Sequence, residues 1–157
     1  MRSFFKEKII TKKSILNETG AALITVAFLI PIIILITGAV TDIGGAMIAK
    51  ENLYKACLIS AEESTKAIDI SRAQHEGINY LTDDFKDIIT GYFHNNIEEK
   101  ENFNITFLDY HVYESIENPE YIEVISRGIY STNFLKLINI KDISVNAHAI
   151  GRLKRID

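Results

Sequence analysis

The chain has 157 residues and a formal net charge of −4, with 24% charged and 10% aromatic residues, which is ordinary for a folded protein and excludes a largely disordered one. Residues 1–19 hold five basic and two acidic residues, so the other 138 hold 12 basic and 19 acidic ones. This acidic remainder argues against a nucleic-acid partner. The single cysteine, Cys57, excludes an intramolecular disulfide and a C-x-x-C metal or redox pair.

Residues 20–41 are predicted to form a transmembrane helix. They contain no formal charge, and 22 helical residues span about 30 Å, the thickness of the hydrocarbon core of a bilayer. The hydroxyls of Thr25 and Thr37 can donate to carbonyls one turn earlier, so they do not prevent insertion. Pro31 is predicted to kink the helix.

The flanking charges predict the orientation. Residues 1–19 form a basic leader with a balance of +3, whereas only Lys50 and Lys55 lie close on the other side. We therefore expect a single pass through the cytoplasmic (inner) membrane, with the N-terminus in the cytoplasm and the C-terminal domain outside. The long apolar run without an A-x-A site favours a signal anchor over a cleaved signal.

Residues 42–70 are predicted to continue the helix as an amphipathic stalk, giving one helix from about Ala21 to about Ile68. Small residues on one side of a helix let a second helix approach closely. The residues predicted to serve helix packing are Pro31, Gly38, Asp42, Gly45, Ala49 and Cys57. For Cys57 the alternative is a cross-link between two copies.

Residues 71–157 are predicted to be an α+β domain. Ser71 fits a helix cap, and a stripe from Ile78 to Tyr92 predicts a second helix, which starts at Asp83 if Gly77 weakens the first turn. Alternating residues then predict three strands in a small antiparallel sheet. The first has a bulge at Leu108–Asp109, and a turn at Asn118–Pro119 precedes the second. The last is the stretch 143–153, after a short helical turn in NFLKLIN.

No catalytic, cofactor or metal motif was found, so neither an enzyme nor a cofactor is expected. The four histidines fall in different predicted elements. Asp109, His111 and Glu123 form the one conceivable metal site, and we interpret them as ordinary polar surface residues.

The run from Glu18 to Ala67 resembles the N-terminal region of TadE/TadG-like proteins, the pseudopilin-like components of tight-adherence (Flp, type IVb) pilus assembly. The matching features are Gly20 after a basic leader, Pro31 eleven residues later, Asp42 at the end of the span, and a helix rich in small residues. The last third, from Tyr121, is loosely similar to the terminal strand pair of the family. The resemblance implies a pilin-like fold and a minor pseudopilin-like structural role beside pilins, other pseudopilins and pilus-assembly proteins.

The resemblance also implies a junction for a prepilin peptidase between Gly20 and Ala21. Processed members carry a glutamate at the fifth residue after the junction, where this chain has Thr25. Three questions therefore stay open: whether the leader is cleaved, whether the chain is TadE-like or TadG-like, and whether it is a filament subunit or a membrane-retained assembly factor. The alternative function is a membrane-anchored binding or sensor module unrelated to pili.

Overall fold

The computed structural model describes the backbone of residues 2–98, 100–116 and 119–153, and within these ranges the side chains from residue 20 onward. The chain divides into two compact units, residues 1–41 and residues 42–157. The elements in chain order are helix α1 (Arg2–Ser64), helix α2 (Ile70–Glu76), helix α3 (Phe85–Asn96), strand β1 (Phe103–Glu114), strand β2 (Pro119–Ser131), a 3₁₀ turn (Leu135–Ile138) and strand β3 (Asp142–Arg152).

The first unit is the N-terminal part of α1. In the described part of the chain, α1 is the one helix long and apolar enough to cross a membrane, and the apolar stretch lies within residues 20–64. Pro31 lies inside it, and its large aliphatic side chains are exposed, as lipid contact requires. The hydroxyls of Thr25 and Thr37 donate to Ala21 O and Ile33 O at 3.0 and 2.7 Å. The side chains of the basic leader, residues 1–19, lie outside the described ones.

Helix α1 ends at Ser64, one turn before the predicted end near Ile68. The hydroxyls of Ser64 and Thr65 donate to carbonyls three residues earlier, and Lys66 N donates to Glu63 O at 3.0 Å. Hydrogen bonds between residues three positions apart are typical of the last turn of a helix. Ile68 then leaves the helix and forms an isolated β-bridge with Leu81.

The predicted second helix is in fact two helices. The carboxylate of Asp69, not Ser71, caps α2, because its Oδ1 accepts from Ser71 N and Arg72 N at 3.0 and 3.1 Å. Gly77 ends α2 with a left-handed φ of 68°, and its N–H donates to Ala73 O. Helix α3 begins eight residues later, at Phe85.

The three strands form the predicted antiparallel meander in the order β1-β2-β3, which confirms the α+β class. The register of β1 shifts between Ile105 and Phe107 and again between Tyr113 and Glu114, and not at the predicted Leu108–Asp109. The predicted turn before β2 falls partly on Asn118, which lies outside the described residues. The short helical turn in NFLKLIN is confirmed as the 3₁₀ turn.

The core of the second unit joins α1, α3 and one face of the sheet. Its largest fully buried side chains include Leu53 of α1, Phe93 of α3, and Ile122 and Val124 of β2. In β3 the buried side chains alternate strictly with exposed ones from Val145 onward, as the period of a strand with one solvated face requires. This packing fixes which side of α1 the sheet covers between residues 42 and 64.

Candidate functional site on the long helix

The candidate peptidase junction lies within α1. Gly20 is half-buried, and Ala21 and Thr25 are exposed. The Thr25 hydroxyl is satisfied inside the helix, because it donates to the carbonyl of Ala21 at 3.0 Å. Position 25 therefore carries a neutral side chain whose hydroxyl hydrogen is already bonded within the helix. It offers no carboxylate to a partner.

Asp42 is fully buried and accepts three backbone hydrogen bonds from the start of the 3₁₀ turn. Oδ1 accepts from Asn133 N at 2.9 Å, and Oδ2 accepts from Phe134 N and Leu135 N, both at 2.7 Å. A carboxylate that collects the free N–H groups at the start of a helical turn acts as its cap. Asp42 thus ties this turn to α1 across more than ninety residues of sequence.

The pKa of the Asp42 carboxyl group reflects two opposed effects. Burial raises the pKa, while the backbone N–H groups of Leu135, Asn133 and Phe134 and the charge of Lys136 lower it. The result is a pKa below the ordinary value of 3.8. Asp42 is therefore ionised at neutral pH, and its charge is held by donors of its own domain.

The side of α1 that faces the sheet, called the inner face below, consists mostly of small residues. A Cβ on Gly45 would lie 2.1 Å from the hydroxyl oxygen of Tyr130, and one on Gly151 of β3 would lie 2.1 Å from Ala61 O of α1. Ala49 is buried, and the Sγ of Cys57 lies 4.0 Å from Ala147 O. Burial raises the pKa of the Cys57 thiol to about 12. The residues of the inner face that belong to the hydrophobic core are Ala46, Ala49, Leu53, Ala56, Cys57 and Ala61.

Outside the inner face, α1 carries large apolar side chains, called the outer face below, that the described chain leaves largely exposed, although Met47 and Ile48 also line the depressions at the rim of the sheet. Ile43, Met47, Ile48 and Tyr54 are 50%, 68%, 60% and 43% exposed. An ion pair between Lys55 and Glu51 at 3.5 Å is also exposed, and such pairs contribute little to stability. The predicted helix-packing set is therefore divided: Gly45, Ala49 and Cys57 face the sheet of their own chain, and packing against another helix stays a prediction for Pro31 and Gly38.

The polar residues of the sheet form hydrogen bonds with one another. Glu123 Oε1 lies 3.0 Å from His148 Nδ1, and Glu123 Oε2 accepts from the Tyr113 hydroxyl at 3.0 Å, which raises the pKa of Tyr113. Glu123 pairs with His111 across the strands, and the carboxylate of Asp109 accepts from Tyr110 N. Among the described residues, no three His, Cys, Asp or Glu side chains are grouped to hold a metal ion.

Surface depressions lie at the rim of the interface between α1 and the sheet. One of about 270 Å³ is lined by residues that include Gly45, Phe103 and Tyr130, and another of about 460 Å³ lies between Met47 and His148. Between them the helix and the sheet are joined by fully buried side chains such as Leu53. The arrangement in this domain therefore favours a packed structural core over an internal ligand site.

Comparison with known proteins finds a family that the N-terminal part of the chain is similar to. Residues 20–57 match a family described as "Putative Flp pilus-assembly TadE/G-like". No curated protein and no solved structure matches the chain. The resemblance to TadE/TadG-like proteins is thereby confirmed over these residues, and it implies involvement in assembly of the Flp, or tight-adherence, pilus. The family covers both branches, so the match does not separate TadE-like from TadG-like chains.

Proposed function

We propose that the protein is a minor pseudopilin-like structural component of Flp pilus assembly, anchored in the cytoplasmic membrane by residues 20–41 with residues 42–157 outside. In this role it catalyses no reaction. The observation that carries the proposal is the outer face of α1. The segment that matches the family continues past the apolar stretch and still exposes Ile43, Met47 and Ile48.

The outer face supports this role because exposed apolar side chains favour association. Full burial of one such side chain contributes about 1.5–3 kcal/mol, so covering the exposed fraction of each contributes about 1–2 kcal/mol. The helix that carries them is fixed to its own domain by the inner face, and does not have to unfold to bind. A helix of a pilin or of another pseudopilin that packs alongside α1 would cover these side chains.

The charge distribution supports the proposed orientation. The basic leader precedes the apolar segment, and the acidic residues lie mostly after it. The same orientation leaves Gly20 at the cytoplasmic end of the span, within reach of a prepilin peptidase acting on that side. Thr25 replaces the glutamate of processed members, so residues 20–41 offer no charged side chain inside the membrane for pairing in a filament.

Site-specific photocrosslinking in cells that assemble the pilus tests the proposal. A photoreactive residue at Met47 is expected to cross-link to a pilin or pseudopilin, because Met47 is 68% exposed on the outer face. Ile70 is the matched control, since it is 69% exposed but lies on α2. Cross-links from neither Ile43 nor Met47 to any pilus component would contradict the proposal.

The intact mass of the extracted protein, from cells with and without the prepilin peptidase, decides between the two forms of this role. A peptidase-dependent loss of residues 1–20 indicates a processed subunit that enters the filament despite Thr25. An uncut chain in both backgrounds indicates an assembly factor that stays in the membrane.

A further inference from the structure

The loop between β2 and β3, residues 133–141, exposes a cluster of large apolar side chains. We call it the base loop. Leu137 is 71% exposed, the largest value among the large apolar side chains that the structure describes in the second unit. Such a cluster on a single short loop marks an interaction surface. The exposed apolar residues of the base loop are Phe134, Leu137, Ile138 and Ile140.

The base loop holds these side chains outward on an ordered backbone. The side chain of Leu135 is buried and holds the loop against the rest of the domain. The backbone N–H of Thr132 donates to Lys141 O at 2.8 Å and its hydroxyl to Ile140 O at 2.6 Å, which closes the base of the loop. Asn139 ends the 3₁₀ turn in the left-handed conformation, with a φ of 68°. The exposed apolar cluster is therefore built into the fold.

The charges of the base loop are all positive. Lys136 and Lys141 are exposed, and residues 133–141 contain no acidic residue, although the chain as a whole has a net charge of −4. Apolar side chains flanked by lysines are typical of surfaces that bind at the boundary between acyl chains and anionic headgroups.

The position of the base loop in the chain supports the same partner. Its first three backbone N–H groups are bonded to Asp42, and Asp42 is the residue that directly follows the uncharged segment 20–41. The loop is thus fixed to the point at which the proposed membrane span ends. Asp42 brings no free carboxylate to this point, because both of its oxygens accept bonds from the loop.

We propose that the base loop docks on the lipid surface of the membrane that residues 20–41 cross, with its apolar side chains at the acyl boundary and its two lysines at anionic headgroups. This inference rests on the proposed membrane anchoring. A second, short contact beside the span restricts the tilt of the domain relative to the bilayer. It would present the outer face of α1 to neighbouring subunits in one orientation.

Lipid explains the surface better than a second copy of the chain does. A second copy of this acidic domain would also carry carboxylates for the lysines, but an anionic bilayer combines charge complementarity with continuity with the span. The two occupants also differ in a measurable way, since only lipid can carry a quencher to the loop.

The test uses the full chain in nanodiscs of phosphatidylcholine and phosphatidylglycerol, with one copy per disc. An environment-sensitive fluorophore is attached to Leu137→Cys, Ile70→Cys or Ile30→Cys, and quenching by brominated lipid is measured. Cys57 is buried, so its protection from maleimide also shows that each variant is folded. Quenching of about twofold is expected at positions 30 and 137, and almost none at position 70.

The three positions separate the inference from the proposed function. Quenching at position 30 without quenching at position 137 overturns the docking of the base loop and leaves the anchor intact. Absence of quenching at both positions overturns the anchoring itself. A blue-shifted but unquenched fluorophore at position 137 means that protein covers the loop, and this also overturns the inference.

The two lysines are tested by Lys136→Gln with Lys141→Gln in the Leu137→Cys background. The quenching at position 137 is expected to fall in discs containing phosphatidylglycerol and to become insensitive to its removal. Quenching that depends on phosphatidylglycerol to the same extent without the lysines would overturn their assignment to the headgroups.

Discussion

Between residues 42 and 64, the two faces of α1 differ in the size of their side chains and in their surroundings. The inner face carries Gly45, Ala49 and Cys57 and lies against strands of the same chain. The outer face, one or two positions away in sequence, carries Ile43, Met47 and Ile48, each at least half exposed. Small residues stand where backbone must approach backbone, and large ones stand where the described chain leaves the side chain at least half exposed.

This difference corrects a simple interpretation of small residues near a membrane span. A stripe of glycine and alanine permits close approach but does not say which element approaches. In this protein the sheet occupies the stripe from residue 45 to residue 61, so the surface left for other subunits is the one with large side chains. Five predictions test this division of the helix and the contacts that hold it.

The largest expected difference is in thiol reactivity between the two faces. Cys57 and an introduced Met47→Cys lie on the same helix, and burial raises the pKa of the Cys57 thiol to about 12. At pH 8 the exposed thiol should react with iodoacetamide roughly a thousandfold faster, because the reaction requires the thiolate. The measurement is the alkylation rate by mass spectrometry. Comparable rates at the two positions would mean that the sheet does not cover the inner face, or that Cys57 is available for a cross-link.

Asp42→Ala should cost about 3 kcal/mol of the free energy of unfolding, because it leaves three backbone N–H groups without their acceptor. Asp42→Asn should cost less, since the amide keeps one acceptor oxygen. Both are measured by chemical unfolding of the detergent-solubilised chain. Asp42→Ala as stable as the unsubstituted chain would show that the base loop is not held by this carboxylate.

The contribution of Asp42 should also depend on pH. Its folded pKa lies below the ordinary value of 3.8, so its stabilising effect is complete above that value and is lost as the pH falls through the folded pKa. The difference in unfolding free energy between the unsubstituted chain and Asp42→Asn should therefore be constant from pH 7 to about pH 5 and shrink below about pH 4. A difference that grows in acid would contradict this assignment.

Gly151→Ala should destabilise the domain by about 2 kcal/mol, because the new Cβ would lie 2.1 Å from the backbone oxygen of Ala61. Gly91→Ala on α3 is the matched control. Its Cβ meets nothing within 4 Å, so the helix should gain about 0.5–1 kcal/mol. Thermal unfolding of both variants gives the comparison, and equal melting temperatures would mean that β3 is not pressed against α1.

Met47→Gln should change the stability of the monomer by less than about 0.5 kcal/mol, because the side chain is exposed. The same substitution should weaken association with pilus components, which is measured by the yield of cross-links from Ile43. A large loss of stability in the isolated chain would mean that the outer face packs within its own domain.

Local signals predicted much of the fold. The charge-free run of residues 20–41 and the strict alternation in β3 each depend on neighbours a few residues away. Each lies in an element of the predicted type, although α1 begins at Arg2 and not near Ala21. The second helix was predicted as one element because the stripe from Ile78 to Tyr92 keeps helical spacing, but α2 ends at Gly77 and α3 begins only at Phe85, near the alternative start at Asp83. Asp69 before α2 and Gly77 after it are a cap pair that would have shown the break.

The role of Asp42 could not be derived from the sequence. It was interpreted only as the end of the span and as a helix-packing residue, because its partners lie 91 to 93 residues away. No local pattern connects an aspartate on a helix to the start of a distant turn. The exposure of the apolar side chains in NFLKLIN could not be predicted either, since a short apolar run does not show which of its residues point inward.

The distance in sequence between α1 and its covering strands has a consequence for the order of folding during synthesis. Cys57 meets Ala147 across 90 residues, and at 5–20 residues per second a ribosome needs about 5–20 s to make that stretch. Throughout this interval the inner face of α1 has emerged without its sheet, and contacts of such long range form late. A chaperone or a companion subunit that shields the helix at this stage would therefore determine the yield of folded protein.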